Sequence, residues 1–465
     1  MSQPARSDAA AQARARAMAV RVAVEALEGW ADRARREHQE REREERRRQE
    51  REHHDPAHRE SPRDGLPESP EPPEPPDHPG DPGVPVLARL LAEAGGPDEL
   101  AVARRATAAW VRGAGRGPRH RGLYDGGLSG TLVGLRASAA FHPGVGAVAD
   151  RLRARLLDRP TGESCRYGVV TFPDYDLILG PAGTLLALTT EVVNDGGVNE
   201  GVSGGGVNGG SGACGGVGAR ELAPFATHLA ALCDAVELPG LRAHYPGHLL
   251  LGWLHGRINT GMGHGVAGVT SALGAAVRRL GPRPELAGAL ANTCRWLRRE
   301  SYQDARDIRT WSGAGPGGGA RLSGANARQA WCYGTPGVAW ALWDAAEVLG
   351  DGETGVWAAE AFTSLADGYH EGFHLFGEHP GDRLGLCHGA AGVLAVADAF
   401  HRHAALPAAT ALRSRMLHHL LAAEDELRAL GRERAGLLTG VGGALAAVLT
   451  ATGGSGTWLP CLGLR

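Results

Sequence analysis

Six times in this chain a Gly-x-x-Gly turn runs directly into a stretch of small apolar residues. The openings are Gly127-Leu-Ser-Gly130, Gly180-Pro-Ala-Gly183, Gly265-Val-Ala-Gly268, Gly334-Thr-Pro-Gly337, Gly389-Ala-Ala-Gly392 and Gly440-Val-Gly-Gly443. Their first glycines stand 53, 85, 69, 55 and 51 positions apart. The two long intervals hold glycine-rich insertions, 195–218 and 301–324. Removing about 25 residues from each brings both near the shorter period, and a near-fixed period implies units that bury a common core by stacking on one another. Neither insertion has the strand-turn-helix setting of a phosphate loop, so their glycines read as flexible loop.

Each opening should start a helix that is small and apolar all round, suited to burial between neighbours. Between the openings lie amphipathic stretches such as 285–300 and 407–430, suited to an outer layer. Two concentric layers of helices closing into a ring make an all-α fold, an α/α toroid. The inner-helix N-termini would then gather at one end, where their free N–H groups and dipoles favour negative charge.

The ring should occupy residues 86–465. Before it, residues 54–85 carry Pro-Glu-Pro-Pro-Glu-Pro-Pro and read as an extended linker. Residues 1–53 form an Ala-, Arg- and Glu-rich arm, helical or disordered, with Val20, Val24, Leu27 and Ala31 at helical spacing near Trp30. Its second half is almost purely charged, so the arm is expected to be a solvated appendage, with a docking arm as the alternative. The His53, His54, His58 cluster at its end reads as no site.

Net charge is −3, which gives no basic field for nucleic acid. All 49 basic residues other than histidine are arginine. The seven cysteines are scattered and odd in number, unlike a disulfide framework, and suggest reduced thiols in a cytoplasm. No apolar run reaches the ~18 residues of a membrane span, and Arg21 and Glu25 interrupt the one candidate signal-peptide core.

Aligned on their first glycine, the openings separate chemically. The preceding residue is His264, Tyr333 and His388 in the third, fourth and fifth units, and Cys332 and Cys387 stand one position earlier in the last two. Cys332, Cys387 and His388 supply three soft donors, one fewer than tetrahedral zinc requires, so a zinc site with one open position is expected. Two buried cysteines beside a capping histidine are the bland alternative. His264 shares its repeat position with His388 and is a candidate acid or base. Asp176, four before Gly180, is equally readable as an active-site carboxylate or a helix cap. Arg328, four before Cys332, would alone pass as a surface arginine.

A competing zinc pattern, His370-Glu371-Gly372-Phe373-His374, matches the H-E-x-x-H of metalloproteases. That motif needs a continuous helix, and Gly368 and Gly372 each weaken one by about 1 kcal/mol relative to Ala.

His-Gly-x-x-Gly, Trp-Cys-Tyr-Gly-x-x-Gly and Cys-His-Gly-x-x-Gly, in this order, resemble the lanthionine synthetase C-like (LanC) family of lanthipeptide cyclases over residues 86–465. The resemblance implies an α/α toroid with Cys332, Cys387 and His388 as zinc ligands, His264 as acid/base and Asp176 as active-site aspartate. Arg328 and Tyr333 match motif neighbours of the metal, and Trp458-Leu-Pro-Cys461 the family's C-terminal signature. The family has seven helical units where six openings are visible. The implied reaction adds precursor-peptide cysteine thiols to dehydroalanine or dehydrobutyrine, forming (methyl)lanthionine thioether rings. The partner would be a dehydrated precursor peptide, with a separate dehydratase, since the toroid leaves no room for one. Binding or addition of glutathione, or a scaffold role in a modification complex, are the alternatives within the family. A prenyltransferase-like toroid uses other ligand spacings.

Overall fold

The computed structural model describes residues 3–54, 77–115, 120–158, 169–190, 219–315 and 324–465. Helix α1 (Gln3–His54) precedes paired helices: α2 (Gly83–Ala94) with α3 (Pro97–Ala114), α4 (Leu128–Ala139) with α5 (Gly146–Leu157), and α6 (Pro181–Thr189) with α7 (Ala219–Leu232). Next come α8 (Val266–Leu280) with α9 (Pro284–Glu300), and α10 (Thr335–Leu349) with α11 (Gly352–Gly368). After two short helices, α12 (Glu371–His374) and α13 (Pro380–Leu384), follow α14 (Ala390–Ala404), α15 (Pro407–Ala422), α16 (Glu424–Glu433) and α17 (Val441–Ala451).

The inner layer closes on itself. Helix α2 packs on α4, α4 on α6, α6 on α8, α8 on α10, α10 on α14, α14 on α17, and α17 back on α2. All six expected openings start inner helices, which are apolar through most of their length; every residue of α17 is buried. Outside them lie amphipathic helices such as α9, whose Leu286, Leu290, Thr293 and Leu297 form one buried stripe. The fold is the expected α/α toroid.

The glycine spacing has a packing cause. In five openings a side chain on the second glycine would strike the carbonyl oxygen six residues earlier: Gly183 against Leu177, Gly268 against Met262, Gly337 against Trp331, Gly392 against Leu386 and Gly443 against Leu437. Each inner helix therefore begins pressed onto its own entry loop. The loops are joined around the ring by backbone hydrogen bonds. Leu123 N donates to Ile178 O, Leu177 N to Gly263 O, Met262 N to Cys332 O, Cys332 N to Cys387 O, and Cys387 N to Leu438 O.

The seventh unit lies inside the segment read as linker. Gly80-Asp-Pro-Gly83 leads into α2, and Asp81 Oδ1 accepts from both Gly83 N and Leu437 N at 2.8 Å. Asp77 accepts from Ala435 N and Gly436 N. Side-chain carboxylates thus close the seam where the two ends of the ring meet. Residues 55–76, the rest of that segment, and His58 with them, lie outside the described residues.

The arm is not a solvated appendage. Helix α1 packs on α3, α15, α16 and α17 through Ala15, Met18, Ala19, Val22, Ala23, Ala26 and Leu27, all buried. It provides outer cover for α17 and α2, completing the outer layer at the seam. Val20 and Val24 only flank this stripe: small residues let the helix approach closely, so the buried face centres on alanines. Arg21–Glu424 and Arg428–Glu25 ion pairs edge the contact. Beyond Ala34 the helix is mostly exposed, as its charge requires.

The second insertion also departs from expectation. Tyr302–Gln303 pairs antiparallel with Arg309–Thr310, and Ile258–Asn259 with Ala314–Gly315. Buried Asp304 accepts from the backbone N–H groups of Arg306, Ile308 and Asn326. These bonds hold 301–315 in place despite its glycines. Residues 316–323, and the first insertion at 195–218, lie outside the described residues.

The final residues fill the axis. Trp331 Nε1 donates to Leu462 O at 2.9 Å, Trp340 Nε1 to Gly463 O at 3.0 Å, and Tyr124 OH to Cys461 O at 2.9 Å.

Candidate metal and acid–base site

The hydrogen bond from Cys332 N to Cys387 O makes two successive entry loops adjacent, which brings their thiols together. One ligand atom from each of Cys332, Cys387 and His388 lies within 4.8 Å of the others, the one such group among the described residues. Cys387 Sγ is 3.6 Å from His388 Nε2. Hydrogen bonding with Cys332 and burial push the Cys387 thiol well up, while Cys387 pulls the His388 imidazole up. Asp382 on α13, which the sequence did not single out, faces the other nitrogen: its Oδ1 is 4.0 Å from His388 Nδ1. A carboxylate there favours the tautomer with its proton on Nδ1 and its Nε2 lone pair aimed at the thiols.

His264 opens α8 on the neighbouring loop, whose Met262 N donates to Cys332 O. Its Nδ1 is 2.5 Å from Asp176 Oδ2. The Asp176 side chain is fully buried, and its Oδ1 accepts from Leu179 N and Gly180 N at 2.7 and 2.8 Å. One oxygen thus braces the entry turn and the other faces His264, while the N-cap of α6 is Gly180, which has no side-chain cap. Burial raises the carboxyl above its usual range, against the lowering by His264 and the two N–H donors. Phe172 stacks on the imidazole at 4.2 Å, and Tyr175 OH donates to His264 O. Phe172 was not expected, although it stands in the same Phe-Pro-Asp-Tyr-Asp run.

Tyr333 is held by Asn259, whose Nδ2 donates to the phenol oxygen at 2.8 Å. The oxygen is the acceptor in that bond, so its own proton is left to donate elsewhere. Burial pushes the phenol up to about 12. Asn259 had no sequence signal, because a β pairing places it. Arg328 lies over the Phe376 ring at 4.2 Å, and its positive charge opposes protonation of His388.

The structure sets the protease pattern aside. Helix α12 has four residues, and buried His374 accepts from its own partner's backbone, His370 N, at 2.9 Å. Burial takes the His374 imidazole down to about 4, and Glu371 is paired with Arg415.

The solved structure of nisin cyclase is similar to this chain at 18% identity, with a TM-score of 0.56, over 79% of this chain and 86% of that one. No curated protein matches by sequence. No helix among the described residues is long and apolar enough to cross a membrane. Residues 250–460, which carry the His264, Cys332 and Cys387-His388 motifs, match the family model for lanthionine synthetase C-like protein.

Proposed function

We propose that the protein is a zinc-dependent lanthipeptide cyclase, forming thioether rings from precursor-peptide cysteines and dehydroalanine or dehydrobutyrine. The observation that carries this reading is the meeting, on adjoining loops, of a three-donor thiol–imidazole cluster and an Asp-held histidine. The likeness to nisin cyclase agrees with it. The donor set fits zinc: two thiols and an oriented imidazole are soft ligands, and two adjacent thiolates, one buried and one half-buried, need a cation between them. Cys332, Cys387 and His388 would hold the ion, which would lower the pKa of an incoming thiol at a fourth position.

The chain's own residues then manage charge and protons. Asp176 fixes the proton on His264 Nδ1 and leaves Nε2 to carry a second proton to the substrate. As the S–Cβ bond forms, the Cα=Cβ electron pair moves toward the carbonyl and an enolate develops. The Tyr333 O–H, left free by Asn259, donates to the enolate oxygen, and Arg328 adds positive charge nearby. His264 Nε2 delivers its proton to Cα. The net change moves a proton from sulfur to carbon; nothing is oxidised. A separate dehydratase supplies the unsaturated residues, and the free cysteines among the described residues suit a cytoplasm.

The test incubates purified, zinc-loaded protein with a dehydrated precursor peptide and follows free thiols and mass. Ring closure removes thiols without changing mass. His264→Ala should keep its zinc and react about 100-fold or more slowly. An unchanged thiol count with wild type overturns the reading. With glutathione added, a glutathione adduct in place of a ring would reassign the thiol substrate.

A further inference from the structure

The run Leu249-Leu250-Leu251-Gly252-Trp253-Leu254 is almost wholly apolar, yet it divides between two faces. Leu254 is buried and Leu251 packs against the core. Leu249, Leu250 and Trp253 face outward at 96%, 74% and 51% exposure. Single exposed leucines are ordinary, but three bulky apolar residues within five positions mark a contact surface.

The loop that carries them is rigidly built. Ala243 N donates to Arg257 O and Gly256 N to Ala243 O across its neck. His248 Nδ1 accepts from Leu250 N and Leu251 N, and Gly252 N donates to His248 O. A loop ordered by its backbone while displaying apolar side chains is prepared for a ligand rather than for the core.

Two independent contacts fix the loop beside the reacting groups. Tyr245 at its base lies 5.3 Å from Phe172 between ring centres and accepts a hydrogen bond from Phe172 N; Phe172 stacks on His264. On the other side, a side chain placed at Gly313 would meet the Trp253 ring at 3.5 Å and the Tyr333 ring at 3.8 Å. The exposed surface therefore continues directly into the site, within roughly two residues of extended peptide from Tyr333.

We propose that Leu249, Leu250 and Trp253 form the docking face for the substrate peptide, seating a bulky apolar or aromatic residue close in sequence to the reacting cysteine or dehydroamino acid. This inference rests on the cyclase reading for the identity of the peptide, and names which peptides it favours. The area is apolar and uncharged, so it selects side-chain hydrophobicity and not peptide charge.

The probe is a fluorescein-labelled decapeptide with one dehydroalanine, no cysteine and a Phe two residues away, compared with its Phe→Ser counterpart by anisotropy on the full zinc-loaded chain. Wild type should bind the Phe peptide about tenfold more tightly, a single residue's apolar contribution. Leu249→Ser/Leu250→Ser and, separately, Trp253→Ala should reduce the preference to within about twofold. Zinc content and melting temperature report that the variants remain folded. Absence of a preference in wild type, or its survival in both variants, overturns the docking face. Cysteine-containing versions of the same peptides are assayed for ring closure by mass spectrometry and thiol counting. Preference without ring closure removes the cyclase reading and keeps the face; ring closure without preference does the reverse.

Discussion

Asp176 does two jobs with two oxygens, and that bears on how the site is taken apart. Oδ1 accepts from Leu179 N and Gly180 N, and Oδ2 holds His264 Nδ1. In Asp176→Asn the amide oxygen keeps the two backbone bonds while the amide nitrogen replaces the acceptor facing His264. The imidazole then takes the wrong tautomer. Cyclisation should fall about 100-fold or more, with unfolding free energy in urea within about 1 kcal/mol of wild type. Asp176→Ala should lose the same activity and a further 1–2 kcal/mol or so of stability, because two buried N–H groups of the entry turn lose their acceptor. Equal destabilisation by both variants would mean that the carboxylate's charge, not its two hydrogen bonds, holds the turn. At this scale the residues of the thiol–imidazole cluster were legible, because each occupies a set position before a glycine. Asn259, Phe172 and Asp382 were not: their partners lie 74, 92 and 6 positions away on other elements.

At the scale of elements, α1 is the largest difference between expectation and structure. Its charge made it look solvated, but residues 11–31 carry alanines on one face that fit against α3, α15, α16 and α17. The arm is a structural part of the outer layer. Leu27, fully buried in that contact, tests it: Leu27→Ala should cost about 2–5 kcal/mol in chemical denaturation. A midpoint unchanged from wild type would return the arm to the status of an appendage. The helical character was readable from composition and spacing; the docking was not, since an alanine face says little about what will cover it.

The ring as a whole closes through Asp81, whose backbone and side chain join α17's entry loop, α2 and Trp110. Burial pushes this carboxyl from an ordinary 3.8 to about 7, with Asp77 and Asp125 adding to the rise. A carboxyl with a raised folded-state pKa favours folding in its protonated form. Its contribution is therefore complete below about pH 4 and is lost as pH rises through 7. The melting temperature should fall between about pH 4 and 7, and Asp81→Asn, which keeps the acceptor oxygen but cannot ionise, should flatten part of that slope. Asp77 and Asp176, also raised, leave the remainder. An identical slope in the variant would show that the seam does not titrate.

The sequence by itself determined the units and their chemistry. A glycine that lets a helix start press on its own loop must recur wherever that contact recurs, so period, inner helices and the positions of the clustered thiols and imidazole were all written locally. It also marked His264 and His388 as equivalent in position, and likewise Cys332 and Cys387. Tertiary structure alone decided what joins distant segments: the seventh unit at Gly80–Gly83, the arm that covers the seam, the pairing of Asn259 with Tyr333, and the apolar face beside the site. These depend on which surfaces meet when the ring closes, and closure brings together residues whose sequence separation carries no periodic signal.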